Sequence, residues 1–532
     1  MRLRLAFARY SRLPACILAL VALAPAAASA GAPYRASLIP PPPAIVDALA
    51  PRESAPADTL IAPPPPVVAW LTAKRRPALQ ASGGFDVAEA LLGDDQRAVA
   101  AALAEWTALP GAGVKAVERR RQRAAIAQAY AARAFLPFWS EAGRWNDAAS
   151  AATRRLRDAV DDGLDLGAMP IPLADAGAAG VSDELALSDA VVTYAAQAAG
   201  ARIDPQRLSH LIGSETHAPE PSGVLAKVAA AGAGAGDALQ AYNPPHYGYQ
   251  ALRAKLAELR SQHGLVDVGA AREASAETAS DDGPPRGRRR TAAHLSPPRV
   301  EAEIIANMER WRWLPRDMGE NRVEVNIPDF ELAVVRGGQV AHRTRVIVGK
   351  EGTPTPIFSN AMREIIVNPS WYVPKSIVEK EMLPKGGVGT LEGRGFKVSY
   401  RHGQLVVRQP PGEGNALGRI KFVFPNDFAV YMHDTPSRGL FSAAHRAFSH
   451  GCMRVEAPFA LAEAVLGPDS GWTESRVKKL IGGSERYINL TKPLPVHIEY
   501  FTAYVDEAGR LVQRPDLYRY SARVRRELGL GG

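Results

Sequence analysis

The chain changes its hydrophobic period near residue 300. Upstream, apolar residues recur at steps of three and four: Leu156, Val160 and Leu164; Leu187, Val191 and Tyr194; Leu252, Leu256 and Leu259. That spacing lines one face of an α-helix. An Ala-rich stretch over 114–135 continues it and ends in the aromatic cluster Phe135-Leu136-Pro137-Phe138-Trp139. These stripes read as helix-packing core, not as ligand sites. One further helical stripe follows, of Val300, Ile304, Met308 and Trp311, and then the pattern turns to short alternating strands. Val323, Val325 and Ile327 share one face, Leu332 and Val334 another, and Gly337-Gly338 marks a hairpin leading into a strand over 340–348. Residues 365–367, 422–424, 430–432 and 496–501 also read as strands. Short helices fit after Pro374 and Pro458 and from Thr473, the last stopped by Gly482-Gly483. Two periods in one chain call for two bodies, so the fold class is α+β, a helical domain followed by a mostly-β domain.

Low-complexity segments set the boundaries. Proline runs at 40–43 and 63–66 favour an extended spacer, so residues 31–84 read as a disordered tether. Residues 263–297 are rich in Ala, Ser, Glu and Asp and then turn basic in Pro284-Pro285-Arg286-Gly287-Arg288-Arg289-Arg290. A solvated charge run of that kind reads as a disordered linker. The helical domain therefore occupies 85–262 and the β-rich domain 298–520.

The first thirty residues read as an export signal. Arg2, Arg4, Arg9 and Arg12 precede an apolar run over 13–23 that is too short to span a bilayer, and Ala28-Ser29-Ala30 is a small-x-small cleavage site. No stable membrane span is expected once residues 1–30 are removed. The expected location is the periplasm. The formal charge of +9 falls to +5 when the four arginines of the signal are subtracted. A basic exported protein suits an anionic envelope polymer, and no nucleic-acid motif is present.

Cysteine usage narrows the chemistry. Of two cysteines, Cys16 lies inside the signal, ahead of most of its apolar run, so only Cys452 remains in the mature chain and no internal disulfide can form. Cys452 stands in Ser449-His450-Gly451-Cys452-Met453-Arg454-Val455, and a second histidine lies upstream in Tyr431-Met432-His433-Asp434. Thiol chemistry needs a thiolate, a proton acceptor and amide donors for an oxyanion. His433 can accept the proton or pair with the thiolate, and the amides near Gly451 and Cys452 can hold the oxyanion. His450 is read as shaping the turn or pocket, because Gly451 bends the backbone between it and the thiol. Arg454 suits a substrate carboxylate. A buried inert Cys452 and a zinc site from His433, His445, His450 and Cys452 are the alternatives, although paired Cys and HExxH motifs are missing. A papain-like protease lacks its Cys signature here. No cofactor and no metal is expected.

His433, a fifteen-residue spacer and Ser449-His450-Gly451-Cys452-Met453-Arg454 together resemble the signature of the L,D-transpeptidase (YkuD-type) catalytic domain. Asn307 through Pro315, Val325-Asn326-Ile327-Pro328, Val348-Gly349-Lys350, Thr353-Pro354-Thr355-Pro356 and His433-Asp434-Thr435-Pro436-Ser437 resemble that family's large periplasmic branch. The helical segment, with Phe135 to Trp139 and Asp161 to Asp165, resembles its scaffold domain. The resemblance implies peptidoglycan tetrapeptide stems as donor and acceptor, a thioester on Cys452 with release of D-Ala, and a 3→3 crosslink between meso-diaminopimelate residues. It implies Cys452 as nucleophile, His433 as acid/base, Gly451 and Cys452 as oxyanion donors, and His450 and Arg454 in the pocket. Tyr431, Trp371 and Ser449 are further candidates for substrate contact. Two rivals remain open: an L,D-carboxypeptidase or crosslink-cleaving peptidase using the same thioester, and a non-catalytic wall-binding scaffold. The small peptidoglycan-binding module often found in this branch is replaced here by the linker, and the capping stretch over 385–408 is short.

Overall fold

The computed structural model describes residues 92–108, 114–167, 169–174, 177–273 and 297–531. The signal at 1–30 and the tether at 31–84 lie outside them, as does most of the linker at 263–297.

Six longer helices make up the first part: α1 (Asp94–Thr107), α2 (Val114–Ala132), α3 (Asp147–Arg157), α4 (Val181–Ala198), α5 (Pro221–Ala230) and α6 (Tyr247–Glu273). Asn146 caps α3 by accepting from the Ala149 amide at 2.9 Å, and Pro221 opens α5 at a position where a missing amide costs nothing. Ile126, Tyr130, Trp139, Leu156, Leu187, Val191, Tyr194, Val224 and Leu225 form one buried core. One expected stripe breaks: α3 ends at Arg157, a 3₁₀ turn follows over Asp158–Asp162, and Val160 is 52% exposed. Asp158 caps the helix, and Gly163, at φ +68°, ends the 3₁₀ turn.

The expected boundary at 262 is crossed in two ways. α6 continues to Glu273, and its Tyr249, Leu252 and Leu256 pack in the core of the β-rich part, with Ile203, Leu208 and Ile212. That core also takes Ile304 and Met308 of α7 (Pro297–Trp311), while Trp311 stacks on Phe501 with ring centroids 4.4 Å apart. Buried charge joins the same elements. Asp162 accepts from Tyr194, Arg155 and Arg253 at 2.5, 2.9 and 2.6 Å, and its carbonyl accepts from Arg312 at 2.6 Å. Every one of these charges has a partner, which is the condition for burying it.

The β-rich part is built on one large sheet. Its strands are β1 (Arg322–Asn326), β2 (Glu331–Arg336), β3 (Gln339–Gly349), β4 (Phe358–Val367), β8 (Ile420–Val423), β9 (Met432–His433), β10 (Ala447–Ser449), β11 (Met453–Val455) and β12 (Arg486–Glu499). They run in the order β10-β3-β11-β9-β8-β4-β12-β1-β2, and β2 pairs again with β3, which closes the ring. Between β4 and β8, a separate three-stranded sheet forms from β5 (Trp371–Tyr372), β6 (Lys397–Arg401) and β7 (Gln404–Gln409). Val373, Val378, Leu391, Phe396 and Val407 give this segment its own apolar cluster, so the stretch read as a short cap is a folded unit. Two small strands and α8 (Tyr520–Glu527) close the chain.

Candidate active site

Two strands seated on β3 hold the Cys452 turn. β10 runs parallel to the end of β3, with Ala447 opposite Val348 and Ser449 opposite Gly349, and β11 runs antiparallel, with Arg454 opposite Ile347. Within the turn, the Ser449 hydroxyl accepts from the Gly451 amide at 3.1 Å and donates to the Cys452 carbonyl at 2.5 Å. Gly451 sits at φ +115°, a conformation that side chains rarely adopt. Its carbonyl accepts from Thr355 Oγ1 at 2.8 Å, and that oxygen accepts in turn from the Gly349 amide at 2.8 Å. Tyr518 closes the cage: its hydroxyl donates to the Gly349 carbonyl at 2.6 Å and accepts from the Thr355 amide at 3.2 Å. A Cβ at Gly349 would lie 2.2 Å from the Thr353 carbonyl oxygen, so only glycine fits this crossing. Because the Gly451 amide is engaged by Ser449, the Cys452 amide is the donor left for an oxyanion.

Neighbouring strands line up three polar residues. Lys421 on β8 is in register with His433 on β9, and His433 with Arg454 on β11. Their in-register neighbours Phe422, Met432 and Met453 are buried on the opposite, core side. His433 is itself buried, and its Nδ1 lies 2.5 Å from the Asp434 carbonyl. A carbonyl can only accept, so Nδ1 carries the proton and Nε2 is the basic nitrogen of the neutral ring, with the Leu417 backbone also within hydrogen-bonding reach of the ring. Burial, with Arg454 and Lys421 adding repulsion, pushes the imidazolium down to about 3. The ring is therefore neutral at physiological pH.

Cys452 is half-buried and free. Burial pushes its thiol up, while the Tyr431 backbone and hydroxyl, Lys421 and Arg454 act the other way. Among the described residues no hydrogen bond joins the His433 ring to the sulfur, and the thiol's polar neighbour is Tyr431. The resting state is thus a neutral thiol and a neutral base, not a preformed thiolate–imidazolium pair. The Tyr431 hydroxyl also lies within hydrogen-bonding reach of Trp371, at the edge of the cap. Tyr431 therefore stands beside the thiol, and Trp371 beside Tyr431.

The remaining candidates divide. Arg454 is half-buried and forms no ion pair among the described residues, and its guanidinium is pushed down by burial with Cys452 opposing. His450 is exposed. Its Nε2 meets Glu381 of the cap at 2.7 Å and Lys350 at 3.5 Å, so it joins the turn to the cap. His445 packs edge-on against Phe330 at 5.5 Å, so the residues weighed as zinc ligands each face a different partner. Nothing local in the sequence singles out Lys421. A single polar residue inside Ile420-Lys421-Phe422-Val423 gives an alternation, but its neighbour across the strand depends on register.

Residues 320–492 match the L,D-transpeptidase catalytic domain family, YkuD, and residues 124–256 match the scaffold domain family. This chain carries an L,D-transpeptidase catalytic domain. A protein of Haemophilus influenzae provisionally named an L,D-transpeptidase is 32% identical over 248 residues, which is 42% of this chain and 49% of that protein. The chain thus spans about half the length of that curated relative. Among solved structures, an L,D-transpeptidase from Mycobacterium smegmatis is 14% identical, with a TM-score of 0.18 over 34% of this chain and 58% of that one. L,D-transpeptidase 1 of Mycobacterium tuberculosis is 14% identical, with a TM-score of 0.15 over 34% and 60%. Overlaps that small carry no argument about the site. The transpeptidase domain contains Trp371, Lys421, Tyr431, His433, Cys452 and Arg454, while Tyr518, which closes the cage under the Cys452 turn, lies beyond it.

Proposed function

We propose that this protein is a periplasmic peptidoglycan L,D-transpeptidase that forms 3→3 crosslinks through a thioester on Cys452. The observation that carries the reading is Cys452 on a caged turn, beside a row in which a neutral, buried His433 lies between Lys421 and Arg454. His433 Nε2 takes the Sγ proton as sulfur attacks the carbonyl of meso-diaminopimelate in a tetrapeptide stem. The Cys452 amide faces the oxyanion. When the C–N bond breaks, His433 returns the proton to the leaving D-Ala. The side-chain amine of a second stem then attacks the thioester, the C–S bond breaks, and the amine's proton passes through His433 back to the thiolate. Arg454, a cation with no acidic partner among the described residues, suits a donor carboxylate. Trp371 and Tyr431 form the wall where the stem lies.

Incubation with disaccharide-tetrapeptide followed by mass spectrometry tests this. D-Ala release with crosslinked dimers is expected, and Cys452→Ala abolishes both. Tripeptide without dimers identifies water as the acceptor and a carboxypeptidase instead. Unmodified Cys452 after exposure to a carbapenem, with no D-Ala released, overturns the catalytic reading in favour of a wall-binding scaffold.

A further inference from the structure

We propose that Lys421 is the residue whose charge holds the Cys452 thiolate, acting together with Tyr431, so that His433 serves only to move the proton. The inference deepens the nucleophile reading above and rests on it.

Lys421 occupies the strand position next to His433 on the face away from the core. Its ammonium sits over the Tyr431 ring, 3.8 Å from the centroid. The Tyr431 hydroxyl, at the far end of that ring, lies within reach of the sulfur. No carboxylate neutralises the ammonium by an ion pair among the described residues. Glu364, on β4, and Glu485, ahead of β12, act on it only at a distance, and Glu485 is engaged with the Ser370 amide and the Tyr487 hydroxyl. The other groups facing the pair are His433, uncharged, and Arg454, the second cation of the row. A half-buried ammonium with no counter-ion is costly unless an anion is expected beside it. Burial pushes the Lys421 ammonium down, and of the charges that oppose this the thiolate, the anion this site makes, comes ahead of Glu364 and Glu485. An imidazolium cannot fill this role at rest, because His433 carries no second proton.

The test follows thiol ionisation directly and needs no peptidoglycan. Alkylation of Cys452 by iodoacetamide is measured by mass spectrometry from pH 6 to pH 10 in the full chain. Lys421→Met and Lys421→Gln are expected to displace the profile toward higher pH, with the rate at pH 8 about tenfold lower, as the loss of one nearby charge implies. Lys421→Arg is expected to overlie wild type. Near-UV circular dichroism identifies which neutral variant keeps the fold, and either suffices. Superimposed profiles for wild type and a folded neutral variant overturn the proposal while leaving the transpeptidase reading intact. A wild-type chain that alkylates normally at Cys452 yet releases no D-Ala overturns that reading and leaves this one standing.

Discussion

The hydroxyl of Thr355 donates to the Gly451 carbonyl at 2.8 Å while accepting from the Gly349 amide, so one side chain ties the Cys452 turn to the strand beneath it. Thr355→Val keeps the shape and removes both bonds. The buried amide left behind costs about 1–3 kcal/mol. Urea denaturation should show that loss, and carbapenem acylation should slow more than the stability loss explains.

His433→Ala removes the only neutral base in the row. Acylation of Cys452 should fall by about 10²–10⁴-fold, the usual worth of a positioned general base. Stopped-flow acylation by a carbapenem checks this, and unchanged kinetics would remove His433 from the mechanism.

His433 also makes the fold acid-sensitive. Its folded value of about 3 lies below the usual 6.5 for histidine, so the unfolded chain binds the extra proton first as pH falls. Stability should therefore be full above about pH 6.5 and decline from there toward pH 3, with about 2 kcal/mol lost by pH 5. Urea midpoints at pH 7.5 and 5 measure it, and His433→Gln should flatten the difference.

Arg454 has no acidic partner among the described residues, so replacing it should harm substrate binding more than structure. Arg454→Ala should raise KM for the tetrapeptide about 10–100-fold, the loss of one charge-assisted contact. Lys at this position should recover part of it, since a point charge replaces a fork.

The bond between His450 and Glu381 is a side-chain link from the Cys452 turn to the cap. Glu381→Ala should loosen the cap without unfolding the barrel. Trypsin should then cut within 375–393 several-fold faster, with Tm changed little, because an exposed pair adds about 0–1 kcal/mol.

The change of period near residue 300 made the α+β division legible, because helical and strand faces differ in spacing and nothing else has to be known. It did not show where one core stops. Leu252 and Leu256 read as one more helical stripe, yet they pack with Ile304 and Met308, and no local pattern says which core a stripe faces. Val160 fitted the spacing and failed because the α-helix gives way to a 3₁₀ turn at Asp158. At the site, the Cys452 motif stood out through rarity, and Tyr431 and Trp371 came from family likeness. Lys421 and Tyr518 did not appear at all, since their roles come from strand register and from a contact between Tyr518 and Gly349 across 169 residues.

Tyr518 therefore decides how short a working enzyme can be. A chain stopped at residue 492, where the family match ends, would lack the phenol that braces Gly349 and Thr355. Such a fragment could keep every residue that does chemistry and still let the sulfur wander, so the smallest unit worth purifying runs on through the final helix.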